Sequence, residues 1–146
     1  MRWTVSILAA ALVLGCGRPK TQTATADTTA MLSLDQLAGT WSMRAMPETS
    51  DSTIATYQMV ATADPTGWVL NLPDRYPIRL RVTVAGDSII TEAGPYESIL
   101  RKGVAVVTRT VARLQDGKMV GTFMARYATR VTDSVLYGRV EGSRLP

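Results

Sequence analysis

The clearest pattern in the sequence is a strict alternation of apolar and polar residues over 78–84, which reads Ile-Arg-Leu-Arg-Val-Thr-Val. Successive side chains of a strand point to opposite faces, so this spacing places every apolar side chain on one face. A helix needs apolar residues three and four positions apart, and that spacing does not fit here. The segment is therefore predicted to be a strand with one face in a core.

Seven further segments have the same strand character, and the turns between them indicate how they are paired. Gly86-Asp87 and Asp116-Gly117 each separate two apolar runs, and such residue pairs favour two-residue hairpins because they accept positive φ. Neighbouring strands are therefore expected to be antiparallel. The eight predicted strands cover residues 39–45, 54–63, 67–72, 78–85, 88–93, 104–115, 118–128 and 134–141.

The connections between these strands alternate in length. Tight ones at 64–66, Gly86-Asp87 and Asp116-Gly117 alternate with longer ones at 46–53, 73–77, 94–103 and 129–133. In an up-and-down meander, alternate connections fall at opposite ends, so one end has tight turns and the other has loops. Closing eight strands into a barrel removes both sheet edges and leaves an interior that is packed or holds one small ligand. The predicted fold is all-β: an eight-stranded antiparallel up-and-down barrel within residues 31–146.

A short helical turn is predicted just before the first strand. The sequence Ser33-Leu34-Asp35-Gln36 has the spacing of a capping box, in which Ser33 caps the turn and Gln36 reaches back to it.

The N-terminal residues have the layout of a secretory signal. Arg2 is followed by an apolar run over 3–14 that is too short to span a membrane, so residues 1–15 are predicted to be a removed signal peptide. The sequence Val13-Leu14-Gly15-Cys16 resembles a bacterial lipobox, and this resemblance implies acylation of Cys16. Cys16 is the only cysteine, so no intramolecular disulfide is possible. The alternative for Cys16 is a buried free thiol.

The segment 16–30 is rich in Thr and has no large apolar side chain after Cys16, so it is predicted to be a flexible tether. The lipobox resemblance then places the protein in the cell envelope, anchored by lipid on the non-cytoplasmic face of a membrane. Gly17 after the lipid site is compatible with sorting to the outer membrane, if the organism has one.

The entry into the first strand adds a second resemblance. Leu37-Ala38-Gly39-Thr40-Trp41, a helical turn leading into Gly-x-Trp, is similar to the opening of lipocalins and related calycin barrels. The resemblance implies that Trp41 closes the bottom of the barrel and that an Arg of the last strand packs on it, with Arg139 the first choice and Arg144 the second. It also implies a hydrophobic ligand entering at the top. The strands are shorter than in that family, and its common disulfide and most of its other signature positions are missing.

Aromatic residues supply the candidate ligand contacts. Loops on a rigid barrel usually carry specificity, and amphipathic Tyr suits the mouth of a cavity. The predicted ligand-binding residues are Tyr57, Trp68, Tyr76, Tyr96, Phe123 and Tyr137. A packed core needs the same residues as a cavity wall, so a filled barrel with a structural or protein-interaction role stays open as the alternative. An interior void of a few hundred Å³ would separate the two.

The longest predicted connection, 94–103, carries Glu97 and Arg101 beside Tyr96. Its alternative interpretation is a solvated lid with Ile99 and Leu100 inserted into the core.

Other functional classes have little support in the composition. The chain has no His, which removes the commonest general base and metal ligand, and its one Cys is assigned to lipid. No catalytic residue, metal site or cofactor is predicted, and the chain is expected not to be an enzyme; a Glu97–Arg101 site is the one catalytic arrangement left open. The net charge of +4 comes from basic residues that are scattered along the chain and form no cluster, so no nucleic-acid partner is expected. The sequence does not identify a protein partner.

Overall fold

The computed structural model describes residues 31–130 and 134–146. The predicted signal peptide, Cys16 and the tether lie outside these residues. None of the helices in the described part is both long and apolar enough to cross a membrane. The elements are α1 Leu34–Leu37, β1 Gly39–Pro47, β2 Ala55–Ala61, a 3₁₀ turn Pro65–Gly67, β3 Val69–Asn71, β4 Ile78–Ala85, β5 Ser88–Glu97, β6 Ala105–Gln115, β7 Lys118–Tyr127 and β8 Val135–Arg144.

The eight strands form one closed antiparallel barrel, as predicted. Each strand pairs with the next along the chain, and β8 returns to pair with β1. The register places Trp41 opposite both Met59 of β2 and Arg144 of β8. The all-β fold and the short helical turn before the first strand are therefore confirmed.

Two-residue hairpins connect β4 to β5 and β6 to β7 at the end where α1 lies. Ala85 pairs with Ser88 and Gln115 pairs with Lys118, which leaves Gly86-Asp87 and Asp116-Gly117 as the turns. Positive φ values at Gly86, Asp116 and Gly117 explain why these residues occupy the turns. The longer connections lie at the opposite end, which is called the loop end below.

Strand β5 differs from its predicted bounds, because it continues past Gly94-Pro95 to Glu97. Ala93 pairs with Thr108 while Tyr96 pairs with Val106, so one extra residue forms a β-bulge in β5. Gly94 has φ +109°, which few other residues adopt. The predicted connection 94–103 is therefore wrong in its first part, and the loop covers only 98–104.

The end opposite the loops is closed by α1 and by two tryptophans. The Ser33 backbone N–H donates to Gln36 Oε1 (3.2 Å), the half of the capping box that Gln36 supplies. Fully buried Trp41 donates its indole N–H to Leu37 O (2.8 Å). The Trp68 indole, also fully buried, donates to Thr62 O (2.7 Å) in the connection before β3. Both indoles thus combine apolar burial with a satisfied donor.

The arginine that packs on Trp41 is Arg144. Its Cζ lies 4.6 Å from the centroid of the Trp41 ring, so the second choice from the sequence is the residue found there. The first choice, Arg139, is wrong: it lies opposite Met46 in the register and pairs with Asp51 at 2.5 Å. The two arginines are five residues apart on β8, a rise of about 17 Å along a strand, so only one of them can reach the closed end.

Candidate functional site

A cavity of about 90 Å³ lies inside the barrel and reaches towards the loop end. Its volume is smaller than the roughly 300 Å³ at which typical ligand pockets begin. The deeper wall is apolar and includes three methionines, Met43, Met59 and Met119. Methionine side chains adapt to variable shapes, so this wall can adjust to a bound molecule more readily than one of branched residues.

Hydroxyl groups form a polar belt on the cavity wall, which we define as Tyr57, Thr91, Tyr96, Thr108 and Thr110. Thr91 and Thr110 are direct partners across β5 and β6, and the Thr108 side chain hydrogen-bonds to the Tyr96 phenol. Tyr57 comes from β2, four strands away from β6 and hence on the opposite wall of the barrel. The belt therefore faces the interior from both sides.

Three members of the polar belt have no hydrogen-bond partner for their side chains within the described residues: Tyr57, Thr91 and Thr110. No side-chain oxygen or nitrogen in the described chain is both fully shielded and unpaired, so these hydroxyls remain open to the cavity. Buried hydroxyl groups nearly always have a partner. The open hydroxyls thus provide donors and acceptors for a molecule inside the barrel.

The enclosure of the two belt tyrosines changes their acidity. Burial raises the pKa of the Tyr57 phenol well above 10.0, and the neighbouring Tyr96 phenol adds to this effect. Burial also raises the pKa of Tyr96, against the opposing influence of its hydrogen bond with Thr108. A phenol of ordinary pKa is already neutral at physiological pH, and the raised pKa of both tyrosines keeps them neutral and able to donate there.

The loop 98–104 covers the mouth of the cavity. Ser98 is buried, and its Oγ accepts the backbone N–H groups of Leu100 and Arg101 at 3.0 Å each. This turn directs Ile99 and Leu100 to the cavity, although 38% and 44% of their surfaces stay exposed. The two residues are neither fully solvated nor fully inserted in the core, so the loop forms a partly open cover.

Charged groups stand at the rim of the cavity but do not line it. Arg75 donates to Glu97 O (2.6 Å) and approaches the Glu97 carboxylate, which accepts the Gly103 N–H (3.0 Å). The Arg101 guanidinium lies 4.0 Å from the centroid of the Tyr127 ring. Glu97 thus contacts Arg75 and Gly103, and Arg101 contacts the Tyr127 ring, so both residues help to hold the loop.

The structure brings together three of the six predicted ligand-binding residues: Tyr57, Tyr96 and Phe123 line the cavity. Trp68 does not, because it is packed at the closed end. Tyr76 does not either, since it lies on the connection before β4 with 92% of its surface exposed.

Tyr137 lies on the outer face of β8, 55% exposed, so its assignment to the cavity is also wrong. The inward positions of this strand are Gly138, Val140 and Gly142. With Arg139, Tyr137 borders a surface groove of about 480 Å³ that crosses the outer faces of β6, β7 and β8. Arg109 and Val111 line the same groove and therefore lie on the outer face of β6.

The three threonines of the polar belt were missed by the sequence analysis. Threonine is common on both faces of strands, so its presence alone carries no signal. The parity of β6 was the available clue: if Arg109 and Arg113 face outwards, Thr108 and Thr110 must face inwards.

Within the described residues, no three His, Cys, Asp or Glu side chains are grouped as a metal ion would require.

No family of proteins, no curated protein and no solved structure matches this chain in the comparisons. The similarity to lipocalins therefore depends on the Gly-x-Trp entry and the barrel architecture alone. A fold can host many functions, so any function must be argued from the cavity itself.

Proposed function

We propose that this chain is an envelope lipoprotein, anchored through an acylated Cys16, whose barrel binds a small apolar or amphipathic ligand. The observation that carries the binding role is the set of open hydroxyls on Tyr57, Thr91 and Thr110 inside an otherwise apolar cavity. A barrel filled only for stability has no need of polar groups without partners, because each lowers stability unless something satisfies it. A bound molecule would satisfy them.

The cavity volume limits the size of such a ligand. A cavity of 150 Å³ accepts benzene in another protein, so about 90 Å³ admits only a slender molecule unless the cover moves. Ile99 and Leu100 are the side chains that would have to shift, and both are already partly exposed. The proposed ligand therefore enters at the loop end past these two residues.

The alternative is a structural or protein-interaction lipoprotein with a filled barrel. The small cavity favours this alternative, because it falls below the few hundred Å³ set as the criterion for a ligand pocket. A binding experiment decides between the two, since only the first proposal requires a molecule inside the barrel.

We also propose binding rather than catalysis. The chain lacks His, its single Cys is assigned to lipid, and the Glu97 carboxylate is engaged with Gly103 and Arg75. A Glu97→Gln change that abolished a measured turnover would contradict this part of the proposal.

Native mass spectrometry of the protein purified from the envelope of an expressing bacterium tests the binding role. We expect a bound small molecule that survives gentle ionisation. Ala125 is buried on the cavity wall, so Ala125→Leu should fill the space and remove the adduct. Ala105→Leu is the matched control, because Ala105 is exposed on the same sheet. An adduct retained in both variants would place the ligand elsewhere, and no adduct in any form would favour the filled barrel.

Metabolic labelling with an alkyne-tagged fatty acid tests the anchor. Label should appear on the parent chain in the membrane fraction and should be lost in Cys16→Ser. Thr21→Ser, a change in the same predicted tether, should leave both label and fractionation unchanged. Label that persists in Cys16→Ser would contradict the anchor.

A further inference from the structure

The residues that line the cavity also limit the charge and polarity of the ligand that it could bind. Among the described residues that line it, none has a charged side chain: no Lys, Arg, Asp or Glu contributes. The wall combines aliphatic, methionine and aromatic side chains with the hydroxyls of the polar belt, of Ser98 and of Tyr127. Every polar group on this wall is therefore neutral.

A charged ligand would fit this wall poorly. Moving a carboxylate or ammonium group out of water without an opposite charge or several hydrogen bonds is strongly unfavourable. The arginines at the rim do not remove this obstacle, because Arg75 is engaged with Glu97 and Arg101 lies on the Tyr127 ring. An anionic head group would have to displace one of these contacts.

A ligand with no polar group would also leave the site incomplete. The hydroxyls of Tyr57, Thr91 and Thr110 would then lose water without gaining a partner. Because a hydroxyl both donates and accepts, the three groups can bind an alcohol, a carbonyl or an ether oxygen. An alcohol oxygen can accept two hydrogen bonds and donate one, so it can engage all three hydroxyls, whereas a carbonyl or ether oxygen accepts two.

The apolar part of the ligand has a suitable place beside the belt. Met43, Met59 and Met119 line the deeper wall, towards the end that Trp41 closes. A slender hydrocarbon chain would contact these thioethers while its oxygen stays at the belt. This arrangement uses both kinds of surface that the cavity offers.

We propose that the barrel selects a small neutral amphiphile, whose hydroxyl or carbonyl oxygen hydrogen-bonds to open hydroxyls of the polar belt, Tyr57 among them, and whose apolar chain packs on Met43, Met59 and Met119. The inference rests on the proposed binding function and goes further in specifying the charge and polarity of the ligand. It assigns Tyr57 as a specificity-determining residue.

Titrations monitored by ¹³C-methyl NMR of the methionines test this selection in the full chain carrying Cys16→Ser, which removes the thiol that would carry the lipid. Three probes of equal chain length separate the possibilities: 1-hexanol, n-hexane and hexanoate at pH 7. We expect saturable shifts of the Met43, Met59 and Met119 methyls with hexanol. Hexanoate should bind at least about tenfold more weakly because its charge has no partner inside.

Variants of the polar belt test whether its hydroxyls cause the preference for a neutral amphiphile. Tyr57→Phe should raise the Kd for hexanol about 3- to 10-fold, the range expected from one lost hydrogen bond, and change the Kd for hexane less than about twofold. Thr110→Val should act in the same direction. Tyr137→Phe removes an exposed phenol from the outer face and should change neither Kd.

The outcomes distinguish this inference from the broader proposal. Hexanoate binding as tightly as hexanol, or a Tyr57→Phe effect that is absent or equal for hexanol and hexane, would overturn the selection of a neutral amphiphile but leave a binding barrel. Failure of all three probes to shift the methionine methyls would overturn the binding function as well.

Discussion

Arg144 lies over the indole ring of Trp41 and also donates to the carbonyl oxygens of Gln36 and Ala38. One side chain from the end of the last strand therefore covers the ring that starts the first strand and satisfies carbonyl groups at the end of α1. Helix ends leave such carbonyls without partners inside the helix, so Arg144 replaces a C-terminal cap. The contact joins the two ends of the barrel chain at its closed end.

Arg144→Ala should destabilise the barrel by about 1–3 kcal/mol, because it removes a cation–π contact and charged hydrogen bonds together. Arg139→Ala is the matched control on the same strand. Its pairing with Asp51 is exposed, and such pairs contribute about 0–1 kcal/mol. Urea unfolding measured by Trp fluorescence compares the two variants, and an equal loss in both would contradict a special role for Arg144.

The bulge in β5 determines which side chains of that strand enter the cavity. Before the bulge, Thr91 and Ala93 face inwards; after it, the inward positions are Tyr96 and Ser98. The extra residue thus changes the parity and directs the Tyr96 phenol to the polar belt.

Gly94→Ala should lower the free energy of unfolding by about 2–4 kcal/mol, because two effects combine at this position. The residue has φ +109°, and an added Cβ would lie 2.6 Å from the carbonyl oxygen of Val106. Gly103→Ala is the control for backbone strain alone: its φ is +77° but its Cβ would meet nothing within 4 Å. We expect a loss of about 1 kcal/mol there. Similar urea midpoints for the two variants would show that close packing against β6 does not matter.

Ser98→Ala should make the loop 98–104 more mobile while lowering the stability of the barrel only slightly. Its Oγ accepts two backbone N–H groups, so the change should cost about 1 kcal/mol and speed hydrogen exchange at Leu100 and Arg101. Amide exchange by NMR measures this directly. Ser42→Ala, at an exposed position on β1, should leave these amides unchanged. Unaltered exchange in Ser98→Ala would mean that other contacts order the loop.

Strand β4 was predictable because its apolar and polar side chains alternate strictly, and the hairpins because Gly86-Asp87 and Asp116-Gly117 are strong local signals. The bounds of β4 agree with the structure at both ends. The bulge was not predictable, since Gly94-Pro95 within an apolar run usually indicates a loop. Its cause is the pairing of β5 with β6, which no local pattern reveals.

The orientation of β8 shows why large apolar residues can mislead. Tyr137 was predicted to face the cavity because aromatic side chains were taken as the candidate ligand contacts. Instead Gly138 and Gly142 face inwards, and a side chain at either would collide with Phe123 or Met43 respectively. The interior near β8 is filled from other strands, so the small residues must face it. This requirement for small residues comes from packing inside the barrel, so it can be recognised only when the positions of all eight strands are known.

Tyr57 should make the stability of the barrel sensitive to alkaline pH. Its phenol has a pKa raised above 10.0 in the folded protein, so the folded state keeps a proton that the unfolded chain releases. The resulting stabilisation is fully present below about pH 10 and is lost as the pH rises further, because the unfolded state then binds fewer protons. Tyr96, whose pKa is also raised, acts in the same direction.

Tyr57→Phe should therefore flatten the fall in urea midpoint between about pH 9 and pH 11, because the phenylalanine has no proton to release in either state. Tyr137→Phe, on the exposed outer face, serves as the comparison and should follow the parent chain. The same Tyr57 variant tests ligand selection, so the two experiments examine one hydroxyl in independent ways. A Tyr57→Phe curve parallel to that of the parent would mean that this phenol is not enclosed in solution, and the polar belt would then lose the member that faces the cavity from β2.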